Sequence, residues 1–279
     1  MISFDFEYYK PSSILEAVRL FQQLSLQGKK PIYYSGGTEI ITMARLNLLF
    51  TKAVIDIKGI PECNALQIRK NQLTIGTALT LTHLSEANVF PLLTETAGRA
   101  ADHTARNKIT LGGNICGSII YREAVLPFLL SDSEVVLAGT KGIKVMPINS
   151  VFIRELQLEK GEFFVQVRTD RSYAELPYVS VKKRKLEKID YPLVTIAALK
   201  KENRIRAAFS GVCAFPFRSL EMEDDLNNEN LPLEIRIDRA ISHLPAPIID
   251  DIRGSSEYRE FVLKNTLFEI LETLEGVRE

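Results

Sequence analysis

Residues 33–40 read Tyr33-Tyr34-Ser35-Gly36-Gly37-Thr38-Glu39-Ile40. The tyrosines end an apolar segment that begins at Pro31 and predicts a short strand, whereas Ile40–Leu46 shows a helical pattern. Because glycine lacks a Cβ, the Gly-Gly turn can adopt positive φ and approach a ligand closely. The helix N-terminus that follows favours an anion such as phosphate. The segment therefore predicts a strand–turn–helix unit with a candidate phosphate-binding turn.

A second glycine pair lies further along the chain, in Thr110-Leu111-Gly112-Gly113-Asn114. Thr110 and Asn114 add side-chain hydrogen-bonding groups to the backbone donors. Two such loops acting on one ligand would suit a pyrophosphate held from both sides. Neither loop matches the G-x-G-x-x-G fingerprint or the P-loop, so a Rossmann or Walker site is not indicated. For each loop taken alone, an ordinary tight turn stays open as an alternative.

The other segments alternate between helical and strand patterns. Ser13 and Glu16 fit a capping box, which predicts the start of a helix that ends before Gly28. Polar or glycine-containing turns at 70–72 and 139–142 separate short apolar segments and predict two hairpins. We expect further strands at 53–57, 163–167, 178–182, 193–199 and 205–210, and helices at 81–87, 92–101, 124–130, 233–244 and 256–274.

The last third of the chain places strands first and helices after them. This order predicts helices packed on an antiparallel sheet. A polar segment at 169–172, followed by Pro177, marks the main boundary. We therefore expect an α+β fold with a first domain at 1–172, divided into subdomains at about 1–58 and 59–172, and a C-terminal domain at 173–279.

The charge balance narrows the function classes. The 279 residues contain 35 Lys and Arg against 35 Asp and Glu, so the formal net charge is zero. A dedicated nucleic-acid binder needs an excess of basic residues facing phosphates, and that class is not indicated. No apolar run approaches the roughly 20 residues that span a bilayer, and the acidic N-terminal segment lacks a signal-peptide pattern. We expect a cytoplasmic protein without membrane insertion.

Side chains suited to catalysis or metal binding are scarce. Cys63, Cys116 and Cys213 are scattered, so neither a disulfide framework nor a zinc or iron–sulfur site is expected in this chain. The three histidines show no metal-ligand spacing and no catalytic-triad order. A bound cofactor that carries its own chemistry would account for this lack.

Charged residues are segregated along the chain despite the zero balance. Residues 182–188 contain five basic residues and one acid, whereas residues 221–234 contain six acids and no Lys or Arg. The basic run is either a solvated strand end or a positive site that faces a phosphate-rich cofactor or a partner. The acidic run is a candidate face for a partner subunit.

Five motifs occur in one order along the chain. They are the first loop at 33–40, the R-N-x-x-T-L-G-G-N segment at 106–114, the basic stretch from Lys182 to Pro192, the segment at 210–218 and D-x-R-G-S-x-x-Y-R at 251–259. Together they resemble the FAD-binding (medium) subunits of molybdenum hydroxylases, the xanthine dehydrogenase and carbon monoxide dehydrogenase group. Leu186 stands where that family commonly has Arg. The resemblance runs nearly from end to end.

The resemblance implies a non-Rossmann FAD-binding fold. Two N-terminal α/β subdomains of the vanillyl-alcohol-oxidase type would enclose the flavin, and a C-terminal α+β domain would follow. The first loop would wrap the pyrophosphate, the second would add a phosphate contact, and Glu123 stands where the family has Asp at the adenosine end. The cofactor-binding residues implied are Tyr33, Tyr34, Ser35, Gly36, Gly37, Thr38, Glu39, Ile40, Thr110, Gly112, Gly113, Asn114, Ser118, Glu123, Phe164, Lys182 and Asp190.

The same resemblance implies a reaction and partners. A molybdopterin-binding large subunit would hydroxylate a purine or similar N-heterocycle, and a small subunit with two 2Fe–2S clusters would pass electrons to FAD in this chain. The flavin would then reduce NAD or another acceptor. The chain would be one subunit of a heterotrimer in purine metabolism. Two alternatives stay open, a self-contained flavin oxidoreductase and a scaffold subunit that has lost FAD.

Overall fold

The N-terminal segment forms a small parallel sheet with two helices. The computed structural model describes residues 2–185 and 190–276. The first elements are β1 (Glu7–Tyr9), α1 (Ile14–Leu26), β2 (Ile32–Tyr34), α2 (Thr38–Arg45) and β3 (Ala53–Asp56). The central strand β3 pairs in parallel with both β1 and β2. Ser13 Oγ accepts a hydrogen bond from the Glu16 N–H at the start of α1, which confirms the predicted cap.

A five-stranded antiparallel sheet follows, with helices along its connections. Its strand order is β4-β5-β10-β6-β7, and the hairpins β4–β5 and β6–β7 confirm the two predicted turns. The elements of this segment are β4 (Leu66–Arg69), β5 (Gln72–Gly76), α3 (Leu81–Ala87), α4 (Pro91–Gly98), α5 (His103–Arg106), α6 (Leu111–Cys116), α7 (Leu126–Leu130), β6 (Glu134–Gly139), β7 (Gly142–Pro147), α8 (Ile148–Val151), β8 (Phe152–Ile153), β9 (Glu155–Leu156) and β10 (Phe163–Asp170).

The two faces of this sheet bury different partners, because successive side chains of a strand point to opposite sides. Val136, Ala138 and Val165 pack with α1 and β3 in one core cluster. Val135 and Leu137 pack on the opposite face, with α3, α4 and α7. The parallel sheet and the helices α3–α7 therefore cover opposite faces, and the ends of β2, α6 and β10 come together.

The C-terminal segment is a four-stranded antiparallel sheet covered by three helices. The strands β11 to β14 are in sequence order. One face packs on α4 and α7, and the other packs on the helices that follow it. The elements are β11 (Tyr178–Arg184), β12 (Pro192–Lys201), β13 (Arg204–Ser210), β14 (Phe217–Arg218), α9 (Leu220–Leu226), α10 (Leu233–Ser242) and α11 (Ser256–Glu275).

The acidic run begins with a helix that was not predicted, α9. Two of its carboxylates pair with arginines of the C-terminal sheet. Glu223 is buried and pairs with Arg218 at 2.7 Å between Oε1 and Nε, and Asp224 pairs with Arg204 at 2.5 Å. The buried Glu223 is therefore not part of an exposed acidic surface, and the expectation that this run faces a partner subunit stays a prediction.

A charged cluster joins the C-terminal sheet to the segment before it. Asp132 accepts hydrogen bonds from Arg218 at 2.7 Å and from Arg206 at 2.5 Å. Arg218 also donates to the Leu129 carbonyl and Arg206 to the Leu130 carbonyl, at 2.9 and 2.8 Å. One carboxylate thus holds two arginines of the sheet against the end of α7.

Asp132→Asn is expected to remove part of the acid sensitivity of the fold. Burial opposes ionisation of Asp132, but the Arg206 hydrogen bond and the Arg218 charge outweigh it and lower the pKa. Such a carboxyl stabilises the fold above its unfolded pKa, about 3.9, and this stability is lost as the pH falls through the lower folded value. Urea unfolding at several pH values should show that the free energy of unfolding falls less steeply with decreasing pH for D132N than for wild type. Equal slopes would contradict this; exposed Asp250→Asn is the control.

Candidate cofactor-binding site

A cavity of about 280 Å³ lies where the end of β2, α6 and the start of β10 meet. Its wall brings together two segments that are distant in sequence, 33–40 and 110–117. The predicted site residues in the wall are Tyr33, Tyr34, Ser35, Gly36, Gly37, Thr38, Glu39, Ile40, Thr110, Gly112, Gly113 and Phe164. The residues that sequence reasoning did not select are Ile57, Thr77, Cys116, Gly117, Leu158, Glu162 and Phe163.

The first loop offers backbone donors to the cavity. Gly37 precedes α2 with φ of 72°, a left-handed conformation that glycine adopts readily, and no side chain caps the helix. Among the residues that the structure describes, the N–H groups of residues 36–40 have no protein acceptor. Ser35 Oγ is also buried without a hydrogen-bond partner. This set of donors at a helix start is suited to an anion.

Lys58 holds the first loop in place. Its Nζ donates to the Ser35 carbonyl at 2.7 Å, pairs with Asp56 at 2.8 Å and lies 4.7 Å from the centre of the Tyr34 ring. Lys58 thus fixes the position of the Ser35 carbonyl, next to the N–H groups of residues 36–40 that have no protein acceptor among the described residues. Sequence reasoning missed Lys58, and the available signal was its position just after β3.

The second glycine pair does not provide an equivalent set of donors. Gly112 and Gly113 lie inside α6, where the Gly112 N–H donates to the Thr77 carbonyl at 2.8 Å and the Gly113 N–H to Thr110 Oγ1 at 3.2 Å. A Cβ at Gly112 would press on the Thr77 side chain. This corrects the expectation of two equivalent donor loops, because the glycines here allow close packing of the wall.

Glu39 connects the two segments of the wall. Its carboxylate accepts hydrogen bonds from the Ser118 N–H at 2.7 Å and from the Ile119 N–H at 3.4 Å. Gly117 lies against the same carboxylate, since a Cβ there would be 2.8 Å from Oε2. Ser118 therefore contacts Glu39 through its backbone and lies outside the cavity wall.

Aromatic side chains pack beside the donors. The ring of Tyr33 stacks on Phe21 with 5.0 Å between centres and contacts Phe163 at 4.6 Å, and its hydroxyl donates to the Gly161 carbonyl at 3.1 Å. Burial raises the pKa of Tyr33, so the phenol stays protonated. Phe164 also lines the cavity. An apolar wall beside a few polar groups is typical of cofactor sites.

Four further predicted residues lie outside the cavity wall. Asn114 Oδ1 accepts a backbone N–H at 3.2 Å. Glu123 and Lys182 pair with each other at 2.6 Å between Oε1 and Nζ, and their side chains are only 3% and 4% exposed. Asp190 lies 3.5 Å from the Arg253 guanidinium. Each of these side chains has a protein partner in the structure.

Lys182→Met is expected to lower the free energy of unfolding by about 3–5 kcal/mol, because Glu123 would remain buried without its cation. Burial favours the neutral amine and lowers the pKa of Lys182, with Glu123 opposing that shift. The double variant E123Q/K182M removes both charges and should be more stable than K182M. Urea unfolding measures both. A single variant at least as stable as the double would contradict this role of the pair.

The described residues of the basic run make contacts within the chain. Lys183 pairs with Glu269 at 2.9 Å, and Arg184 donates to the Arg99 carbonyl at 2.9 Å. Residues 186–188 of this run, including Leu186, lie outside the described residues. The described basic residues of the run do not line the cavity, so they do not form a positive site in its wall, and the alternative of a positive site that faces a partner stays a prediction.

The family profile of the FAD binding domain in molybdopterin dehydrogenase matches residues 4–169. This agrees with the mixed fold and with the cavity at the first loop, and the chain belongs to this family. It is the FAD-binding medium subunit of a molybdenum hydroxylase of the xanthine and carbon monoxide dehydrogenase type, and hence a flavoprotein component of an oxidoreductase.

Individual relatives support this assignment. The chain is 26% identical to the glyceraldehyde dehydrogenase medium chain of Sulfolobus acidocaldarius over 280 residues, which cover 93% of this chain and 95% of that one. It is 29% identical to the carbon monoxide dehydrogenase medium chain of Hydrogenophaga pseudoflava over 174 residues, 60% of each chain. A carbon monoxide dehydrogenase structure from the same organism superposes with a TM-score of 0.87, at 25% identity and 98% coverage of both chains.

Within residues 2–185 and 190–276, no group of three or more His, Cys, Asp or Glu side chains could hold a metal ion. In the same part of the chain, no helix combines the length and apolar character needed to cross a bilayer.

Proposed function

We propose that this chain binds FAD with the pyrophosphate at the N-terminus of α2. The observation that carries the proposal is the set of unpartnered N–H groups at residues 36–40, beside the unpartnered Ser35 hydroxyl. Gly36 and Gly37 allow the loop to pass close to the Lys108 carbonyl and the Tyr34 ring, which a Cβ at these positions would overlap. Backbone donors at a helix start suit a phosphate, so the residues present fit the cofactor.

The remaining cofactor contacts are assigned from the cavity wall. We propose that residues 33–40 hold the pyrophosphate end, and that Thr110, Gly112, Gly113 and Phe164 contact the cofactor from the other segments. Asn114, Ser118, Glu123, Lys182 and Asp190 would act through the protein contacts described above. The three main sheets, within residues 7–56, 66–170 and 178–218, support a division at about 58 and 172.

We propose that the chain works in the cytoplasm as the electron-transfer subunit of a heterotrimeric molybdenum hydroxylase. Electrons would reach it from a small subunit with two 2Fe–2S clusters and leave to NAD or another acceptor, while a large molybdopterin subunit would hydroxylate a purine or similar heterocycle. Bound FAD supplies the redox chemistry that the side chains of the cavity lack. The chain's own task is to bind and orient that group.

The names of the relatives support the proposal that the molybdenum subunit, and not this chain, selects the substrate. Those names include carbon monoxide, glyceraldehyde, xanthine and nicotinate dehydrogenases. Subunits of one family thus occur in enzymes named for chemically different substrates. We infer that the reaction specificity resides in the molybdenum subunit, with a purine as the substrate class proposed here.

A self-contained oxidoreductase would need an acid or base free beside the cofactor. Both carboxylates of the described cavity wall are engaged, since Glu39 accepts backbone N–H groups and Glu162 pairs with Lys144 at 2.7 Å. This favours the electron-transfer role.

Affinity purification of the tagged chain from its native host tests the proposal. Co-purification with a molybdenum subunit and an iron–sulfur subunit is expected, together with substrate-dependent bleaching of the flavin band. A chain that purifies alone and oxidises a substrate without partners would establish the self-contained alternative. A purified complex without flavin would support a scaffold role.

A further inference from the structure

We propose that Glu39 is a positioning residue that fixes the spacing between the two walls of the cavity. In this role its carboxylate holds the turn at 117–119 against α2 and sets the shape of the site that FAD enters. The inference rests on the proposed FAD binding and adds a distinct role for one wall residue.

The contacts of Glu39 cross between separate parts of the fold. Glu39 belongs to α2, which follows the parallel sheet, whereas Ser118 and Ile119 follow α6 on the other side of the cavity. Oε1 accepts the Ser118 N–H at 2.7 Å, and Oε2 accepts the Ile119 N–H at 3.4 Å. Hydrogen bonds to a carboxylate are the stronger class. Both carboxylate oxygens of Glu39 thus contact the backbone that directly follows the wall segment 110–117.

Gly117 shows how close this contact is. A Cβ on Gly117 would lie 2.8 Å from Glu39 Oε2, which is shorter than real Cβ contacts. The backbone of Gly117, with φ of −64° and ψ of 158°, is one that alanine adopts without strain. A Cβ here would displace the Glu39 carboxylate and would also approach the Gly113 carbonyl at 3.1 Å, so space rather than backbone conformation favours glycine at this position.

The charge of Glu39 and its positioning role predict opposite changes in FAD affinity when the residue is replaced. A carboxylate beside a dianionic pyrophosphate disfavours binding by repulsion. If charge were its main effect, neutral substitutions would tighten FAD binding. If positioning dominates, Glu39→Ala should weaken binding despite the lost charge. Glu39→Gln keeps one acceptor oxygen for the Ser118 N–H and should lie between wild type and E39A.

A double-mutant cycle between positions 39 and 117 tests the inference. FAD affinity is measured by flavin fluorescence on the assembled complex for wild type, E39A, E39Q, G117A and E39A/G117A. Loss of a charge-assisted hydrogen bond predicts roughly tenfold weaker binding for E39A and for G117A. Because both changes disturb one contact, the double variant should be no weaker than about tenfold, with a shared change in the flavin absorption band.

The outcomes separate the inference from the proposed function. Multiplied effects in the double variant, or tighter binding by E39A and E39Q, would overturn the positioning role while wild-type binding stands. Absence of FAD binding by wild type would overturn the proposed function itself. Far-UV circular dichroism checks that each variant folds. If G117A does not fold, the order wild type, E39Q, E39A in affinity decides alone.

Discussion

Gly36→Ala is expected to abolish tight FAD binding. A Cβ at this position would overlap the Lys108 carbonyl and come within 3.2 Å of the Thr110 N–H. Both groups belong to the backbone that leads into the wall segment 110–117, so the loop at residues 33–40 has to move away from that segment. Such overpacking costs about 1–3 kcal/mol, which corresponds to roughly 5- to 150-fold in affinity when the loss falls on the bound state.

Flavin content of the purified complex and FAD titration after flavin removal measure this effect. Gly98→Ala is the matched control, because its Cβ would meet only the Ser85 side chain, at 3.2 Å from Oγ, away from the cavity. We expect G98A to bind FAD like wild type. Wild-type flavin content in G36A would show that the first loop does not hold the cofactor.

Arg259→Met is expected to be among the most destabilising single changes in the chain. The Arg259 side chain is fully buried, and its guanidinium donates to the Leu193 and Gly211 carbonyls at 2.7 and 3.0 Å and to Asp251 at 2.6 Å. These bonds join α11 to the sheet and to the loop before it. Removing the cation leaves three buried or half-buried acceptors, at a cost of about 3–5 kcal/mol.

Urea unfolding of the purified chain tests this expectation. Arg239→Met is the control, since Arg239 is exposed on α10 and the same substitution there should change the free energy of unfolding by less than about 0.5 kcal/mol. If R259M were as stable as R239M, the hydrogen bonds of the Arg259 guanidinium would not stabilise the fold as the structure indicates.

The sequence was informative where the determining contacts are local. The Ser13 cap, the two hairpins and the turn before α2 depend on residues within a few positions of one another, and the structure contains them. The helix α9 also had a local signal in Ser219 with Met222 and Leu226, but the acidic residues between them directed attention to charge.

The sequence was less informative where partners come from distant segments. The Gly112 N–H is taken by Thr77, and the Ser35 carbonyl is held by Lys58. A glycine pair alone does not reveal whether its donors face a ligand or another carbonyl. Likewise, motif positions placed Glu123 and Lys182 at a cofactor, whereas the fold pairs them across 59 residues.

Titration of the assembled complex, stripped of flavin, with FAD and with riboflavin tests the central claim most directly. Riboflavin has the same ring system and ribityl chain without the pyrophosphate and the adenosine. The donors at residues 36–40 predict one FAD per chain and riboflavin binding weaker by at least about 100-fold, since several charge-assisted hydrogen bonds are lost. Equal affinities for the two ligands, or no saturable FAD binding, would contradict a pyrophosphate site at the N-terminus of α2.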